Sequence, residues 1–234
     1  MAVVTLFAVV LALSGAAQAA CSLEGVWKGT WQSRSHSGPV ELSVDTKWGI
    51  PYVALQSSTR DGERLPPQYY LRKDAANAVA FRSVAGPYSL QKSGCQLSGV
   101  QRHPEGRVQI SLRQTGSSTS KHRLPQLMPS AAALDYLSGE TYRGSFQWGQ
   151  MAGRSTVAFA LTSQCVTAQV TNVYSKTERR EATCVSNPRG WLRFAYRAGG
   201  KNGVALIAVS ASGRDMYMIT HNGEGVLFRT LRRQ

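Results

Sequence analysis

The 234-residue sequence predicts an all-β chain: two tandem antiparallel β-barrel-like or β-sandwich repeats, joined by a linker that carries one short helix. Three observations predict it. Apolar and polar residues alternate over several stretches, the period of half-buried strands. Glycine-containing turn dipeptides separate those stretches. The second half of the chain also repeats the order and spacing of the first.

In chain order, Val40, Leu42 and Val44 alternate with Glu41, Ser43 and Asp45, and Val108, Ile110 and Leu112 alternate with Gln109, Ser111 and Arg113. Val157, Phe159 and Leu161 repeat the pattern in the second half, as do Leu192, Phe194 and Tyr196 opposite Arg193 and Arg197. Turns are expected at Asp61-Gly62, Asn202-Gly203, Ser212-Gly213 and Asn222-Gly223. Strands joined by such short turns pair antiparallel, and each repeat has room for about seven of ordinary length. A helix is expected over Ala131 to Leu137, with Ser130 as its cap.

The duplication rests on ordered matches. LEGVWKGTWQ from Leu23 matches LSGETYRGSFQ from Leu137 with one insertion. Glu63-Arg64 followed by Phe81-Arg82 matches Glu178-Arg179 followed by Tyr196-Arg197, and His103, Gly106 and Leu112 line up with His221, Gly225 and Leu231. The offset grows only from 114 to 119 residues, and Ile110 falls opposite Arg229, where the match breaks. The expected organisation is a leader at 1–19, a first repeat at 20–114, a linker at 115–136 and a second repeat at 137–234.

The apolar run from Val3 to Leu13, followed by Ala17-Gln18-Ala19, has the form of a secretory signal cleaved after Ala19. It is too short to span a bilayer, and no later apolar run reaches about 18 residues. Export to the periplasm or the medium is therefore expected. A lipoprotein anchored at Cys21 is the lesser alternative, because Gln18 stands where a lipoprotein signal wants an aliphatic residue. In an oxidising compartment Cys21, Cys95, Cys165 and Cys184 are expected as disulfides. Of the three connectivities, Cys21–Cys95 and Cys165–Cys184 keep each bond inside one repeat.

The segment Cys21 to Trp27 with its Gly25-x-Trp27, together with Arg113 near the end of the repeat, resembles the minimal signature of the calycin superfamily, the lipocalins and avidins. The resemblance implies an antiparallel barrel with Trp27 closing one end and Arg113 packed across it. Gly139, Tyr142 and Arg232 are a degraded counterpart in the second repeat. No residue of a biotin or retinoid pocket is matched, and no cofactor is implied.

The formal charge is +14, from 27 basic residues, twenty of them Arg, and 13 acidic ones. The second repeat carries +8 against +5 for the first. Arg189, Arg193, Arg197, Lys201, Arg229, Arg232 and Arg233 are its candidate anion-binding face. Expected partners are an anionic polysaccharide, a lipid surface or an acidic protein, with intracellular nucleic acid excluded by export. No nucleophile elbow, H-E-x-x-H or catalytic carboxylate pair occurs. His36, His103, His122 and His221 lack the further ligands of a metal site. The sequence therefore reads as a non-enzymatic exported binding protein acting through the basic second repeat. Alternatives are a lipocalin-like carrier of a small hydrophobic ligand, marked by an apolar cavity of several hundred cubic ångströms, or an inhibitor of another enzyme.

Overall fold

Short turns leave consecutive strands no route but antiparallel pairing, and the first repeat follows this rule until its last strand meets its first. In a computed structural model of the chain these strands are β1 (Gly25–Gln32), β2 (Ser37–Lys47), β3 (Ile50–Ser57), β4 (Gln68–Ala75), β5 (Ala78–Ser83), β6 (Gly86–Ser93), β7 (Gln96–His103) and β8 (Gly106–Ser117). β8 pairs with β1 and closes an eight-stranded barrel. The structure describes residues 21–234 except 59–61, 66, 76, 105, 119–123, 149, 150, 163, 164, 172–176, 181, 182, 187–190, 199, 200 and 224. At 74, 147, 148, 151, 152, 161, 162, 165–171, 177–180, 183–186, 196–198 and 201 it describes the backbone alone.

The alternating apolar residues fill the barrel. Trp27, Leu42, Val44, Val53, Leu90 and Leu97 are fully buried in one core. Trp27 sits at the end where β1 begins, and its indole Nε1 donates to the Leu23 carbonyl at 3.0 Å. The Gly25-x-Trp27 part of the calycin resemblance thus corresponds to a barrel end. The Arg113 part does not. Arg113 pairs with Lys28 across the β1–β8 seam and is exposed on the outer wall. Its neighbour Gln114 ties β8 to the chain start instead, donating to the Ser22 and Glu24 carbonyls at 3.0 and 3.1 Å. Gly25 makes room for this: a Cβ there would fall 2.2 Å from Gln114 Nε2, and its φ of 153° is one that side chains rarely adopt. The buried arginine at this end is Arg72 of β4, whose guanidinium meets Glu24 at 3.0 Å and Thr46 at 3.2 Å. Cys21–Cys95 staples the chain start to the β6–β7 turn, which completes the floor.

Among the described residues the second repeat supplies β9 (Thr141–Trp148), β10 (Met151–Thr162), β11 (Cys165–Thr171), β12 (Thr177–Arg180), β13 (Thr183–Ser186), β14 (Leu192–Ala198), β15 (Lys201–Val209), β16 (Asp215–His221) and β17 (Val226–Arg233). Their order is β12-β11-β10-β9-β17-β16-β15-β14-β13. Apart from β13, an edge strand with no counterpart in the barrel, this is the order of the first barrel cut open where β4 meets β5, so the duplication is visible in the topology. The matched segments occupy equivalent strands: β1 and β9, β5 and β14, β7 and β16, β8 and β17.

The second sheet has its own core of Tyr142, Val157, Phe159, Leu192, Phe194 and Met216, with Ala133 and Leu137 of the helix α1 (Ser130–Leu137). The helix covers the end of this sheet that the chain start covers in the barrel. Three expectations need correction. Pro129 is the N-cap residue and Ser130 already lies inside the helix without a capping side-chain bond. Asn202-Gly203 lies within β15, where Gly203 pairs with Tyr196, because the chain reverses between Ala198 and Lys201. Arg232 does not close over Tyr142: its side chain is 87% exposed, and the Tyr142 hydroxyl donates to the Gly213 carbonyl at 3.2 Å.

A third apolar cluster joins the two units. The β2–β3 hairpin turns on Trp48 (φ 55°) and Gly49 (φ 76°), a two-residue turn with both central φ values positive. For Trp48 this backbone costs about 1 to 2 kcal/mol. Burial offsets it, because the indole is wedged edge-on against Tyr217 at 5.2 Å and Phe228 at 5.6 Å. The Lys47 ammonium lies 5.0 Å from the Trp48 ring and 5.1 Å from Phe228. Burial lowers its pKa, and Asp45 opposes the shift. Ile50, Tyr69 and Leu71 pack against the same cluster, which also holds Ile219 and Val226.

Candidate functional site

With the floor sealed and one flank packed on the second sheet, the barrel's other end is left open. The turns β1–β2, β5–β6 and β7–β8 and the β3–β4 loop surround it. Inside lies a cavity of about 800 Å³. Its wall is made by side chains that alternation turns inward near the mouth: Trp31, Val40, Tyr88, Gln101, Val108 and Ile110. Its rim is polar, with Ser33, Arg34, Ser35 and His36 on one side and Ser57 and Ser58 on another, completed by His103 and Arg107. No Asp or Glu stands among the described lining residues.

The apolar wall is held rigidly. Tyr88 stacks on Phe81 with centroids 4.4 Å apart, and Phe81 stacks on Tyr70 at 5.8 Å. Burial pushes the Tyr88 phenol far up, with the Tyr70 side chain adding to the shift and a Ser83 hydrogen bond opposing it. Burial likewise raises Tyr70 to about 12. Both stay neutral across the physiological range. On the opposite wall the Trp31 indole lies over Gly38, where an added Cβ would come within 2.8 Å of its Nε1. The two exposed large apolar residues among those described, Leu65 and Val84, both sit on mouth segments.

Sequence reasoning missed this site because no motif marks it. Wall residues come from β1, β2, β6, β7 and β8, each looking like ordinary core in its own strand. The available signal was the placing of Arg34 and His36 at the β1–β2 turn and of His103 and Arg107 at the strand ends flanking the β7–β8 turn, legible only once the barrel was assumed closed. The Ser35 hydroxyl lies 2.6 Å from His36 Nδ1, but the two are chain neighbours in an exposed turn. With no lining carboxylate to orient the imidazole, this is turn chemistry rather than a nucleophile and its base.

Among the described residues of the expected basic face, Arg193, Arg229, Arg232 and Arg233 do not share one surface. Arg193 is exposed on the outer side of β14. Arg232 lies beside Asp215 at 3.5 Å, and Arg233 is clamped by Glu140, its Nε 2.7 Å from Oε2, while lying over the Tyr136 ring at 5.1 Å. Arg229 corrects the expectation of a surface cation: it is buried on the inner face, its Nη1 3.3 Å from the Ser155 hydroxyl. The side chains of Arg189, Arg197 and Lys201 lie outside the described residues, as do those of Cys165 and Cys184, so only the Cys21–Cys95 expectation meets its bond. The Cys21–Cys95 sulfurs bond across a Cα separation of 5.1 Å.

No family model matches the chain, and no curated protein matches it. Among solved structures it is similar to a protein of unknown function of the DUF3598 family from Nostoc punctiforme, at 11% identity and a TM-score of 0.30, over 91% of this chain and 96% of that one. It is also similar to the isotype 1 transferrin binding protein B from serogroup B Neisseria meningitidis, at 8% identity and a TM-score of 0.29, over 85% of this chain and 53% of that one. This chain therefore spans about half the length of the latter.

Metal chemistry finds no scaffold among the described residues, where no three His, Cys, Asp or Glu side chains come together. No described helix is long and apolar enough to cross a membrane. What the mouth offers chemically is an apolar wall together with hydrogen-bonding and basic residues.

Proposed function

We propose that the protein is a non-enzymatic binding protein that carries a small molecule in the mouth of its first barrel and works outside the cytoplasm. One observation carries the reading: a cavity of about 800 Å³, walled by apolar side chains at one end of a barrel whose other end is sealed. That volume falls within the usual range of small-molecule sites, roughly 300 to 1,000 Å³, and the pairing of an apolar wall with a few convergent polar groups is their usual chemistry. The Cys21–Cys95 bond supports an oxidising compartment.

The test is titration with the neutral fluorophore N-phenyl-1-naphthylamine. Saturable one-to-one enhancement is expected, with energy transfer from Trp31. Val108→Trp, which places an indole in the cavity, abolishes the enhancement while the thermal transition stays in place. Absence of saturable binding, or binding that Val108→Trp leaves untouched, overturns the reading.

A further inference from the structure

We propose that the ligand is an amphipathic anion: an aliphatic or aromatic body bearing one carboxylate, sulfate or phosphate head, with the head held by Arg34 and Arg107 at the rim. This rests on the reading of the mouth as a binding cavity and adds the chemistry of its occupant.

The argument begins in the strand register. At the barrel seam Trp31 pairs with Ile110 and Gln32 with Gln109. Arg34 on the β1–β2 turn and Arg107 at the start of β8, where it pairs with Arg102, each stand two residues beyond that last pair, so closure of the barrel brings two distant parts of the sequence to one stretch of the rim. Both are exposed, both line the cavity, and neither makes an ion pair among the described residues. Arg82, Arg102 and Arg113 are likewise exposed and without an ion pair among the described residues, but they do not line the cavity. Arg72 is committed to Glu24 in the floor, and Arg64 shares Glu41 with Lys28 on the outer wall, at 2.8 and 3.1 Å. The Glu41 carboxylate is thus already occupied by two cations.

Below the rim the cavity turns apolar along Trp31, Val40, Tyr88 and Ile110, with Gln101 as the one buried amide among its described lining residues. A neutral hydrophobe would fill this wall but leave the rim cations solvated and unused. A cationic amphiphile would meet like charge at the entrance. An anionic head reached from an apolar body satisfies both zones at once. The guanidinium fork matches the planar oxygens of a carboxylate or the oxygens of a sulfate or phosphate. Low-dielectric walls strengthen that attraction at the mouth.

The experiment is displacement of bound N-phenyl-1-naphthylamine from the full chain by dodecanoate below its micelle concentration, by dodecanol and by dodecylamine. Dodecanoate is expected to displace the probe at about tenfold lower concentration than dodecanol, the size of one charge-assisted contact, and dodecylamine to be the weakest. Arg34→Gln with Arg107→Gln removes the advantage of dodecanoate while dodecanol displaces as before. Arg113→Gln, on the outer wall, keeps it. Vesicles of phosphatidylglycerol and of phosphatidylcholine form a second arm: displacement by the anionic vesicles alone makes a membrane lipid the source of the head group, and displacement only by free dodecanoate makes it a soluble amphiphile. Equal potency of dodecanoate and dodecanol in the native chain overturns the head-group assignment and leaves the cavity reading standing. Failure of the probe itself to bind overturns both.

Discussion

The Arg229 guanidinium lies over the Phe146 ring at 5.5 Å, and the two residues are cross-strand partners on β17 and β9. In the first barrel the equivalent partners are Ile110 and Trp31 on β8 and β1. The one break in the repeat match is therefore an arginine placed at an interior position. A buried guanidinium brings a desolvation cost that apolar isosteres avoid. Arg229→Met is expected to stay within about 1 kcal/mol of the native stability, whereas Arg229→Ala, which leaves a cavity beside Phe146 and Met218, costs about 3 kcal/mol. Urea midpoints of the two variants check this. Equal losses would show that the Ser155 contact, and not volume, is what Arg229 contributes.

Trp48 is the wedge between the two units, and its removal separates their fates. Trp48→Ala strips the edge-on contacts with Tyr217 and Phe228 and exposes the β2–β3 turn. The expected cost is about 3 to 5 kcal/mol. Because the barrel and the second sheet keep their own cores, calorimetry of the variant should resolve two transitions where the native chain shows a single coupled one. A single unshifted transition would mean the interface transmits no stability.

Fold class was legible in the residues because alternation and turn chemistry are local. Val40 to Val44, Val108 to Leu112 and Val157 to Phe159 each declare their inner face without help from the rest of the chain. Closure was not legible. Whether β4 and β5 pair, as they do, or lie toward opposite ends of an unclosed strand order, as their counterparts β12 and β14 do among the described strands, depends on long-range geometry that repeat matching does not encode. The same limit applied to the arginines. Charge counting treats Arg229 and Arg193 alike, yet strand phase buries the first and exposes the second. Asn202-Gly203 misled for a similar reason: the tertiary reversal at 198–201 takes precedence over a favourable turn dipeptide.

The disulfide binds the chain start to the β6–β7 turn across a sequence separation of 74. A loop of that size restricts the unfolded chain by about 4.5 kcal/mol on the entropic view. Replacing Cys21 and Cys95 together by Ser is expected to lower stability by about that amount, less whatever residual structure the unfolded chain retains. Since the bond lies in the floor of the barrel, far from the mouth, probe binding by the folded variant should be unchanged. Loss of binding at a temperature where the variant remains folded would show that the cavity depends directly on the floor.

His221 ends β16 at the position that His103 holds in the first barrel. It is half-buried, and burial lowers its pKa below 6.5. The folded state therefore favours the neutral imidazole, while the unfolded chain takes up its proton near the ordinary value. Between the lowered folded pKa and 6.5 the unfolded state binds more protons, so stability falls as pH drops through that window and levels off below the folded pKa. Above 6.5 the penalty is absent. His221→Gln removes this share of the pH dependence and leaves every carboxylate in place. Denaturant midpoints at pH 7.5 and 5.5 should lie closer together in the variant than in the native chain. An undiminished gap between them would assign the acid sensitivity to another group.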